Sequence, residues 1–336
     1  MHEKILILDF GSQVTQLIAR RVREMNVLSE IKPATQFKQI DDNVKGIIFS
    51  GSPCSVHQSD APFLDLAHIR GKIPVLGICY GAQMIAHLNG GEVARSTHRE
   101  YGRANLSSIQ SGSTLLRGMT MNSQVWMSHG DTILNCGTNA EIIASTADVV
   151  NAAYEIKHDK IFGVQFHPEV YHTTEGFQLL KNFVIDICAC HADWTPGSFV
   201  EETVERLRKQ LGNDEVIMAL SGGVDSTVAA ALIHRAIGDR LHCVFVDNGL
   251  LRKNEFEQVM INYRNMDLDI TGVNASEDFY HALKGLTDPE LKRKAVGSTF
   301  IEVFESALKK FPSARWLGQG TIYPDVIESL SPNGGV

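Results

Sequence analysis

Long hydrophobic runs and clusters of basic residues are both missing from this sequence. Its apolar runs are too short for a membrane-spanning helix, which needs about 20 apolar residues. The formal net charge is −8, and no run of lysine and arginine provides the basic surface that nucleic acids require. An apolar strand pattern begins at residue 4, so we expect no secretory signal at the start of this sequence. We therefore expect no membrane partner and no nucleic-acid partner.

Cysteine is scarce and scattered. The six cysteines stand at positions 54, 79, 136, 188, 190 and 243. This spread does not form a disulfide framework and is typical of a reducing compartment, which predicts a cytoplasmic protein. Cys188, Cys190 and His191 lack the spacing of zinc ligands, and no second ligand pair follows them. We expect no metal centre there, and the sequence gives no sign of an organic cofactor.

The patterns that are present alternate between strand and helix. Hydrophobic residues make up 43% of the sequence and charged residues 21%, which is typical of globular proteins. The length of 336 residues predicts about two domains. In the first half, strand patterns cover residues 4–10, 46–51, 73–78 and 161–166, and helix patterns cover residues 14–25, 62–69, 82–88 and 182–188. This alternation predicts an α/β fold, with an open, mostly parallel sheet flanked by helices in each of two domains.

A boundary between the domains is predicted at residues 191–197, a linker that ends in Pro196-Gly197. The first domain then covers residues 1–190 and the second covers residues 198–336. A helix pattern begins near Ser198, with acidic residues in its first turns and basic residues near its end, as the helix dipole favours.

The second domain is organised around a glycine-rich turn between an apolar strand pattern and an alanine-rich helix pattern. The turn consists of Ser221, Gly222, Gly223, Val224, Asp225, Ser226 and Thr227. Glycines let an anion approach the backbone, the first N–H groups of a helix point towards it, and the hydroxyl side chains add donors. The absence of lysine excludes the Gly-Lys-Ser/Thr type of nucleotide loop. These features predict a phosphate site, with an ordinary strand-to-helix turn as the alternative.

This turn resembles the pyrophosphate loop of the ATP pyrophosphatases, which cleave ATP between its α and β phosphates. The resemblance implies that all seven residues of the turn bind ATP. The carboxylate of Asp225 would lie beside the phosphates, and two negative groups are tolerated together when a cation lies between them. We therefore expect Asp225 to hold Mg²⁺ through the ATP phosphates. The next strand pattern, residues 241–247, would place Val246 beside adenine or ribose.

A second candidate site is centred on Cys79, which lies between the strand pattern of residues 73–78 and a helix pattern. Gly77 and Gly81 flank it, as expected for a tight strand-to-helix turn that exposes a nucleophile. The start of the helix favours the thiolate form. A buried, inert cysteine is the alternative, but the two glycines favour catalysis.

A general base for this cysteine is predicted at His167, at the end of the strand pattern 161–166. Glu169 follows two residues later, and Pro168 fixes the backbone between them. A carboxylate next to a histidine can orient its imidazole. Cys79, His167 and Glu169 therefore form a candidate catalytic triad.

These motifs resemble those of the class I glutamine amidotransferases over residues 1 to about 190. The resemblance implies that Cys79 is the nucleophile, that His167 is the general base and acid, and that Glu169 orients the imidazole. It places the oxyanion near backbone N–H groups of Gly51 and Tyr80. The further glutamine contacts that it implies are Gln83, Ser128 and His129.

Taken together along the chain, the motifs resemble the family of glutamine-hydrolysing GMP synthetases. They lie at residues 8–13, 77–83, 165–170, 221–226, 246–252 and 318–325. The resemblance implies that Mg-ATP adenylates XMP and that ammonia from glutamine displaces AMP to give GMP. The family forms a homodimer through a C-terminal domain. Here only seven residues follow the family's Pro-Asp-Val-Ile-Glu-Ser segment, residues 324–329, so we expect that domain to be absent and the XMP site to be incomplete.

Arg293, in the basic trio of residues 292–294, is the candidate for a remaining XMP contact, since a planar guanidinium suits phosphate or xanthine oxygens. The alternative function is a chain that hydrolyses glutamine and binds ATP without completing GMP synthesis. Glutamine-dependent asparagine synthetase needs a cysteine at position 2, where this chain has His2. His129 and Asp131 could form a second catalytic pair, but we expect a structural role because they lie in a glycine-containing turn.

Overall fold

The computed structural model describes residues 2–320, apart from the side chains of residues 97–100. Residues 321–325 of the motif predicted at 318–325, and the residues that follow it, lie outside this range. The chain divides into two compact units, residues 1–195 and 196–336. Within residues 2–320, no helix combines the length and the apolar composition needed to cross a membrane.

The first unit is built on a nine-stranded sheet with the order β2-β1-β3-β4-β9-β8-β7-β5-β6. Its strands are β1 (Lys4–Asp9), β2 (Leu28–Pro33), β3 (Val44–Phe49), β4 (Val75–Ile78), β5 (Glu92–Ile109), β6 (Gln124–Asn135), β7 (Glu141–Thr146), β8 (Ala153–Ile156) and β9 (Ile161–Val164). Its helices are α1 (Thr15–Glu24), α2 (Tyr80–Leu88) and α3 (Gly176–Lys181), which continues into a π-helical segment, Asn182–Ile187.

The parallel half of this sheet is buried on both faces. Along β1, Ile5 and Ile7 belong to one hydrophobic cluster, whereas Leu6 and Leu8 belong to another. Successive side chains point to opposite faces of a strand, so each face of β1 packs against its own layer. This explains the continuous apolar run from which a parallel strand was predicted.

The other half of the sheet is antiparallel, from β9 through β8, β7 and β5 to β6. The α/β class is confirmed, but the first sheet is mixed rather than mostly parallel. Strands β5, β6, β7 and β8 were not predicted, because their sequences lack long continuous apolar runs. In β6, buried Val125 and Met127 alternate with half-buried Trp126 and Ser128, which is the pattern of a strand with one face packed.

The helix predicted at residues 62–69 is wrong, since the structure has no helix there and only a turn over residues 67–72. Ala67 N donates to Asp65 Oδ1 at 2.9 Å, and this local bond competes with the helical pattern. The carbonyl oxygen of Pro62 accepts a hydrogen bond from the Tyr80 hydroxyl at 2.8 Å. Backbone bonds from Ile69 N and Arg70 N to Leu66 O, at 2.9 and 2.8 Å, close a single turn that does not continue into a helix.

The second unit is built on a four-stranded parallel sheet with the order β12-β11-β10-β13. Its strands are β10 (Glu215–Leu220), β11 (Leu241–Asp247), β12 (Asp269–Asn274) and β13 (Ala314–Gly318). Its helices are α4 (Pro196–Leu211), α5 (Val224–Ile237), α6 (Glu255–Arg264), α7 (Ser276–Leu283) and α8 (Pro289–Leu308). Strands β11 and β12 are added on one side of β10, and β13 is added on the other side. The turn after β10 therefore lies at a topological switch point, where open α/β sheets bind their ligands.

Residues 191–194, part of the predicted linker, are packed against the first unit. Trp194 is buried, and its backbone N donates to Asn26 O at 2.9 Å. The guanidinium of Arg23 lies 5.9 Å from the centre of the Trp194 ring. The chain therefore leaves the first unit only after Trp194, at the start of α4.

Candidate active site

Cys79 occupies a strained turn between β4 and α2. Its backbone has φ +53° and ψ −109°, a conformation that residues with side chains rarely adopt. A Cβ at Gly77 would lie 2.7 Å from the backbone of α2, and one at Gly81 would lie 2.7 Å from Phe49. No side chain fits at those distances, so the two glycines make this tight turn possible.

His167 and Glu169 form a buried pair just after β9. His167 Nδ1 lies 2.7 Å from Glu169 Oε1. The His167 backbone N donates to Trp126 O at 3.0 Å, and its carbonyl oxygen accepts from Thr173 Oγ1 at 2.5 Å. Arg21 Nε donates to the Glu169 carbonyl oxygen at 3.1 Å. The backbone on both sides of the pair is therefore fixed, which sets the direction of the imidazole.

The side chain of Cys79 interacts with this imidazole. Burial by itself lowers the pKa of His167, but the charge of Glu169 and the contact with Cys79 outweigh burial and raise that pKa well above its ordinary value. The Cys79 thiol also donates to the Ser128 carbonyl oxygen at 3.8 Å. A readily protonated imidazole beside a thiol stabilises the thiolate and can protonate a leaving amine.

A cavity of about 900 Å³ lies over Cys79. The sequence-predicted residues that line it are Gly51, Cys79, Gln83, Ser128, His129 and His167. A Cβ placed on Gly51 would lie 3.6 Å from His167 Cε1 and 3.8 Å from Cys79 Cβ, so the backbone of Gly51 is beside both. Tyr80 is only 1% exposed and its hydroxyl binds a carbonyl oxygen, which leaves its backbone for the predicted oxyanion contact.

His129 and Asp131 lie within β6, so the predicted glycine-containing turn is wrong. The strand pairs with β5, where Asp131 lies opposite Arg95 and His129 opposite Glu100, with an irregularity in the register between Arg95 and Glu100. His129 is buried, and burial lowers its pKa to about 4. Its imidazole is therefore neutral at pH 7, whereas that of His167 is readily protonated. His167 is therefore more readily protonated than His129, because the Glu169 carboxylate lies beside it.

The glycine-rich turn joins β10 to α5. Gly222 has φ +77°, and a Cβ there would lie 3.3 Å from Val259. Gly223 has φ −85° and immediately precedes the 14-residue helix α5. Residues 221–225 are exposed. Backbone N–H groups at the start of α5 are therefore accessible to an anion.

The hydroxyl groups of this turn bind within the turn itself. Ser221 Oγ and Ser226 Oγ are 3.0 Å apart, and Ser226 Oγ donates to Gly223 O at 3.2 Å. Thr227 Oγ1 donates to the same carbonyl oxygen at 2.7 Å and lies 2.8 Å from the Tyr263 hydroxyl of α6. A hydroxyl has one proton to donate. In this structure, therefore, the Ser226 and Thr227 hydroxyls donate to Gly223 O and hold the turn in shape.

The other predicted residues of the second unit differ in accessibility. Val246 is buried in β11, so only its backbone is available to a nucleotide. Arg293 is exposed on α8 and pairs with Glu290 one turn earlier. A Cβ on Gly320 would lie 3.5 Å from the backbone of Ser226, so the motif that begins at residue 318 starts beside the phosphate turn.

Within residues 2–320, no group of three or more His, Cys, Asp or Glu side chains is arranged to hold one. Asp225 is exposed on the first turn of α5. A single carboxylate next to an anion-binding backbone fits Mg²⁺ that arrives with nucleotide phosphates, because Mg²⁺ is often bound by one carboxylate together with phosphates.

Several residues that line the Cys79 cavity were not anticipated. They are Ser12, His57, Arg95, Tyr101, Trp126 and Val170. Three of them belong to β5 and β6, which sequence analysis did not identify as strands. The signal in the sequence was the placement of the apolar residues Val125 and Met127 two positions apart, and both are buried in β6.

The glutamine amidotransferase class-I family matches residues 6–187, and the NAD synthase family matches residues 198–294. A GMP synthase [glutamine-hydrolyzing] from Cytophaga hutchinsonii is 58% identical over 334 residues, covering 99% of this chain and 66% of its own length. The corresponding protein from Bacteroides fragilis is 55% identical over 336 residues, covering 100% of this chain and 66% of its own length. The chain spans about two thirds of the length of these curated relatives.

A glutamine amidotransferase of known structure from Thermotoga maritima aligns with a TM-score of 0.43 and 20% identity, covering 62% of this chain and 93% of that chain. The class-I family match covers more than half of this chain and includes Cys79, His167 and Glu169. The resemblance seen in the sequence is thereby confirmed: the chain belongs to the glutamine amidotransferase class-I family.

Proposed function

We propose that this chain is a glutamine-hydrolysing GMP synthetase, a ligase that forms a C–N bond. Residues 1–190 are assigned as the amidotransferase domain and residues 198–336 as the ATP pyrophosphatase domain. The observation that carries the proposal is Cys79 at φ +53° in a cavity that also contains the buried His167–Glu169 pair. The high identity to proteins named GMP synthase, over nearly the whole chain, supports the choice of product.

In the first half-reaction, glutamine and water give glutamate and ammonia. The Cys79 thiolate attacks the carboxamide carbon, and the oxyanion lies near the backbone N–H groups of Gly51 and Tyr80. His167 protonates the departing ammonia and then removes a proton from the water that hydrolyses the thioester. Glu169 keeps the imidazole oriented through the 2.7 Å contact.

In the second half-reaction, the C2 oxygen of XMP attacks the α-phosphorus of ATP, and pyrophosphate leaves. Ammonia then attacks C2, and AMP departs with that oxygen to leave GMP. The turn of residues 221–227 binds the phosphates through its backbone, with Val246 beside adenine or ribose and Arg293 as an XMP contact. Mg²⁺, held by Asp225 and the phosphates, would supply charge neutralisation for the leaving pyrophosphate.

The test is to supply the chain with XMP, Mg-ATP and either glutamine or ammonia, and to measure glutamate, pyrophosphate and GMP separately. The proposal expects all three products with glutamine, and pyrophosphate and GMP with ammonia. Glutamate release and ATP binding without GMP would leave the narrower activity of a glutaminase that binds ATP. No glutamate release at any glutamine concentration would refute the amidotransferase assignment.

The partners of the proposed enzyme are small molecules: glutamine, ATP and XMP. The net charge of −8 gives no support for a nucleic-acid partner. The six cysteines are free thiols, which supports placement in the cytoplasm.

A further inference from the structure

The backbone of His167 is joined to β6 by two hydrogen-bonded connections, and one of them passes through a side chain. His167 N donates to Trp126 O at 3.0 Å. Trp126 N donates to Thr173 Oγ1 at 3.0 Å, and this hydroxyl donates in turn to His167 O at 2.5 Å. In an antiparallel strand pair, two opposite residues exchange both of their N–H···O bonds directly. Here the Thr173 hydroxyl completes the second connection.

The position of Thr173 is itself fixed by backbone bonds on both sides. Its N–H donates to Val170 O at 3.2 Å, and its carbonyl oxygen accepts from Gly176 N at 3.1 Å. The next residue, Thr174, donates its backbone N–H to Gln124 O of β6 at 3.1 Å. The segment after the candidate triad is therefore attached along β6, and the hydroxyl has a defined place within it.

The connection through Thr173 is closed to solvent at its centre. Thr173 is 4% exposed and His167 is 7% exposed. A hydroxyl has one proton to donate, and that of Thr173 goes to His167 O. A buried donor or acceptor that loses its partner is unfavourable, because it has also lost its bonds to water. Without the hydroxyl, the His167 peptide could regain a partner only by moving.

The position of this peptide decides whether the imidazole can reach Cys79. The ring is held at Nδ1 by Glu169 Oε1, at 2.7 Å, and its side chain also interacts with Cys79. β6 contacts the nucleophile as well, since the Cys79 thiol donates to Ser128 O at 3.8 Å. The same strand therefore holds the backbone of the base and contacts the nucleophile.

We propose that Thr173 is a positioning residue, whose hydroxyl holds His167 against β6 so that the imidazole faces Cys79. Thr173 lies outside the lining of the cavity over Cys79, so it acts through His167 and not on glutamine. Its contribution is therefore to the reaction of bound glutamine and not to glutamine binding. This inference rests on the proposed glutaminase activity.

The experiment measures glutamate release by the full chain and by Thr173→Val. Valine keeps the branched shape and removes the hydroxyl, so no space is opened for a water molecule to replace it. The value of kcat should fall about tenfold to a hundredfold, because a displacement of about 1 Å in a catalytic group can have an effect of that size. KM for glutamine should stay nearly unchanged. Circular dichroism of each variant gives the folded fraction, by which kcat is corrected.

The pH dependence of kcat distinguishes positioning from a loss of folded protein. The titratable groups that interact with His167 are Glu169, Cys79 and His129. Glu169 and Cys79 raise the pKa of His167, whereas His129 has a pKa of about 4 and is neutral in the range of the assay. If the imidazole moves away from Cys79, the pKa of His167 falls and its protonated form is lost at lower pH. The alkaline limb of the kcat profile should therefore shift to lower pH in Thr173→Val.

Thr173→Ser keeps the hydroxyl and should retain most of kcat and the original pH profile. Thr174→Val is the matched control, since Thr174 is an exposed threonine whose hydroxyl donates to Gln124 O at 3.4 Å instead of to His167. An unchanged kcat in Thr173→Val, or equal losses in Thr173→Val and Thr173→Ser, would overturn the inference. Should Thr173→Val not fold, Thr173→Ala takes its place, and equal kcat values for Thr173→Ala and Thr173→Ser would overturn it. Absence of glutaminase activity in the unsubstituted chain would instead overturn the proposed function.

Discussion

Cys79 is the residue on which the glutaminase proposal depends most directly. Cys79→Ala removes the attacking sulfur, so glutamate release should fall to background. Glutamate production at fixed enzyme concentration measures this. Cys54→Ala is the matched control, because Cys54 is another thiol in the lining of the same cavity and should keep most of the activity. Equal losses in the two variants would show that the cavity, and not the nucleophile, had been damaged.

Glu169→Gln should reduce the rate of glutamate release less than Cys79→Ala does, because Glu169 orients the imidazole and does not form a bond to substrate.

Glu169→Gln should also change the pH dependence of stability. The pKa of His167 is raised in the folded protein, so its contribution to stability is present below about pH 6.5 and is lost as pH rises through the folded-state pKa. Without the carboxylate this pKa falls, and the loss of stability above pH 6.5 should become smaller.

Urea unfolding of the unsubstituted chain and of Glu169→Gln at several pH values between 6 and 9 measures this difference. His129→Asn is a suitable comparison, because the pKa of His129 is lowered to about 4 and that residue is neutral throughout the range. The interpretation is wrong if Glu169→Gln loses stability with pH as steeply as the unsubstituted chain does.

At the scale of elements, the turn between β10 and α5 offers two neighbouring glycines with different backbone requirements. Gly222 has φ +77°, whereas Gly223 has φ −85°. Gly222→Ala should destabilise the second unit by about 1 kcal/mol and should weaken ATP binding, because alanine is strained at positive φ. Gly223→Ala should leave the unfolding transition nearly unchanged.

Thermal unfolding and calorimetry with Mg-ATP measure the two effects. Asp225→Asn belongs in the same series, and its loss of affinity should be larger with Mg²⁺ than without it. Unchanged Mg-ATP affinity in both Gly222→Ala and Asp225→Asn would contradict the placement of the phosphates at this turn.

The elements that sequence analysis identified are those with continuous apolar runs. β1, β3, β4 and β9 are buried on both faces, so their burial is visible without knowledge of their neighbours. β5 and β6 could not be found in that way, because their side chains face a cavity or solvent on one side. Arg95, Tyr101 and Asp131 were missed as a cavity lining for the same reason.

The candidate triad was predictable because its residues lie at strand ends next to glycine or proline. The hydroxyl bonds of Ser226 and Thr227 were not, since they depend on where Gly223 and Tyr263 come to lie. The false helix at residues 62–69 has a related origin. A helix was expected there, but Ala67 N donates to the Asp65 side chain and the Tyr80 hydroxyl donates to Pro62 O. Neither hydrogen bond can be read from the local sequence.

At the scale of the whole molecule, the two units have separate hydrophobic clusters. Those of the first unit lie within residues 5–190 and those of the second lie within residues 204–307. Each candidate site is therefore supported by a core of its own.

Cys79→Ala should leave the affinity for Mg-ATP unchanged, and Gly222→Val should leave glutamate release without nucleotide unchanged. Calorimetry of the first variant and a glutaminase assay of the second test this. A loss of function at the opposite site would show that the units do not hold their sites independently.

The backbone of Cys79 has a consequence for how this protein could be stabilised and how it could decay. Glycine is the residue that best tolerates φ +53° and ψ −109°, so the fold and the chemistry favour different residues at the same position. Cys79→Gly should unfold at a higher temperature than Cys79→Ala while both lack glutaminase activity. A stability screen that ignored catalysis would therefore select glycine here. Neutral substitution in a lineage that no longer uses glutamine would favour glycine in the same way. A glycine at this position would therefore mark a domain that has kept its fold and lost its glutaminase activity.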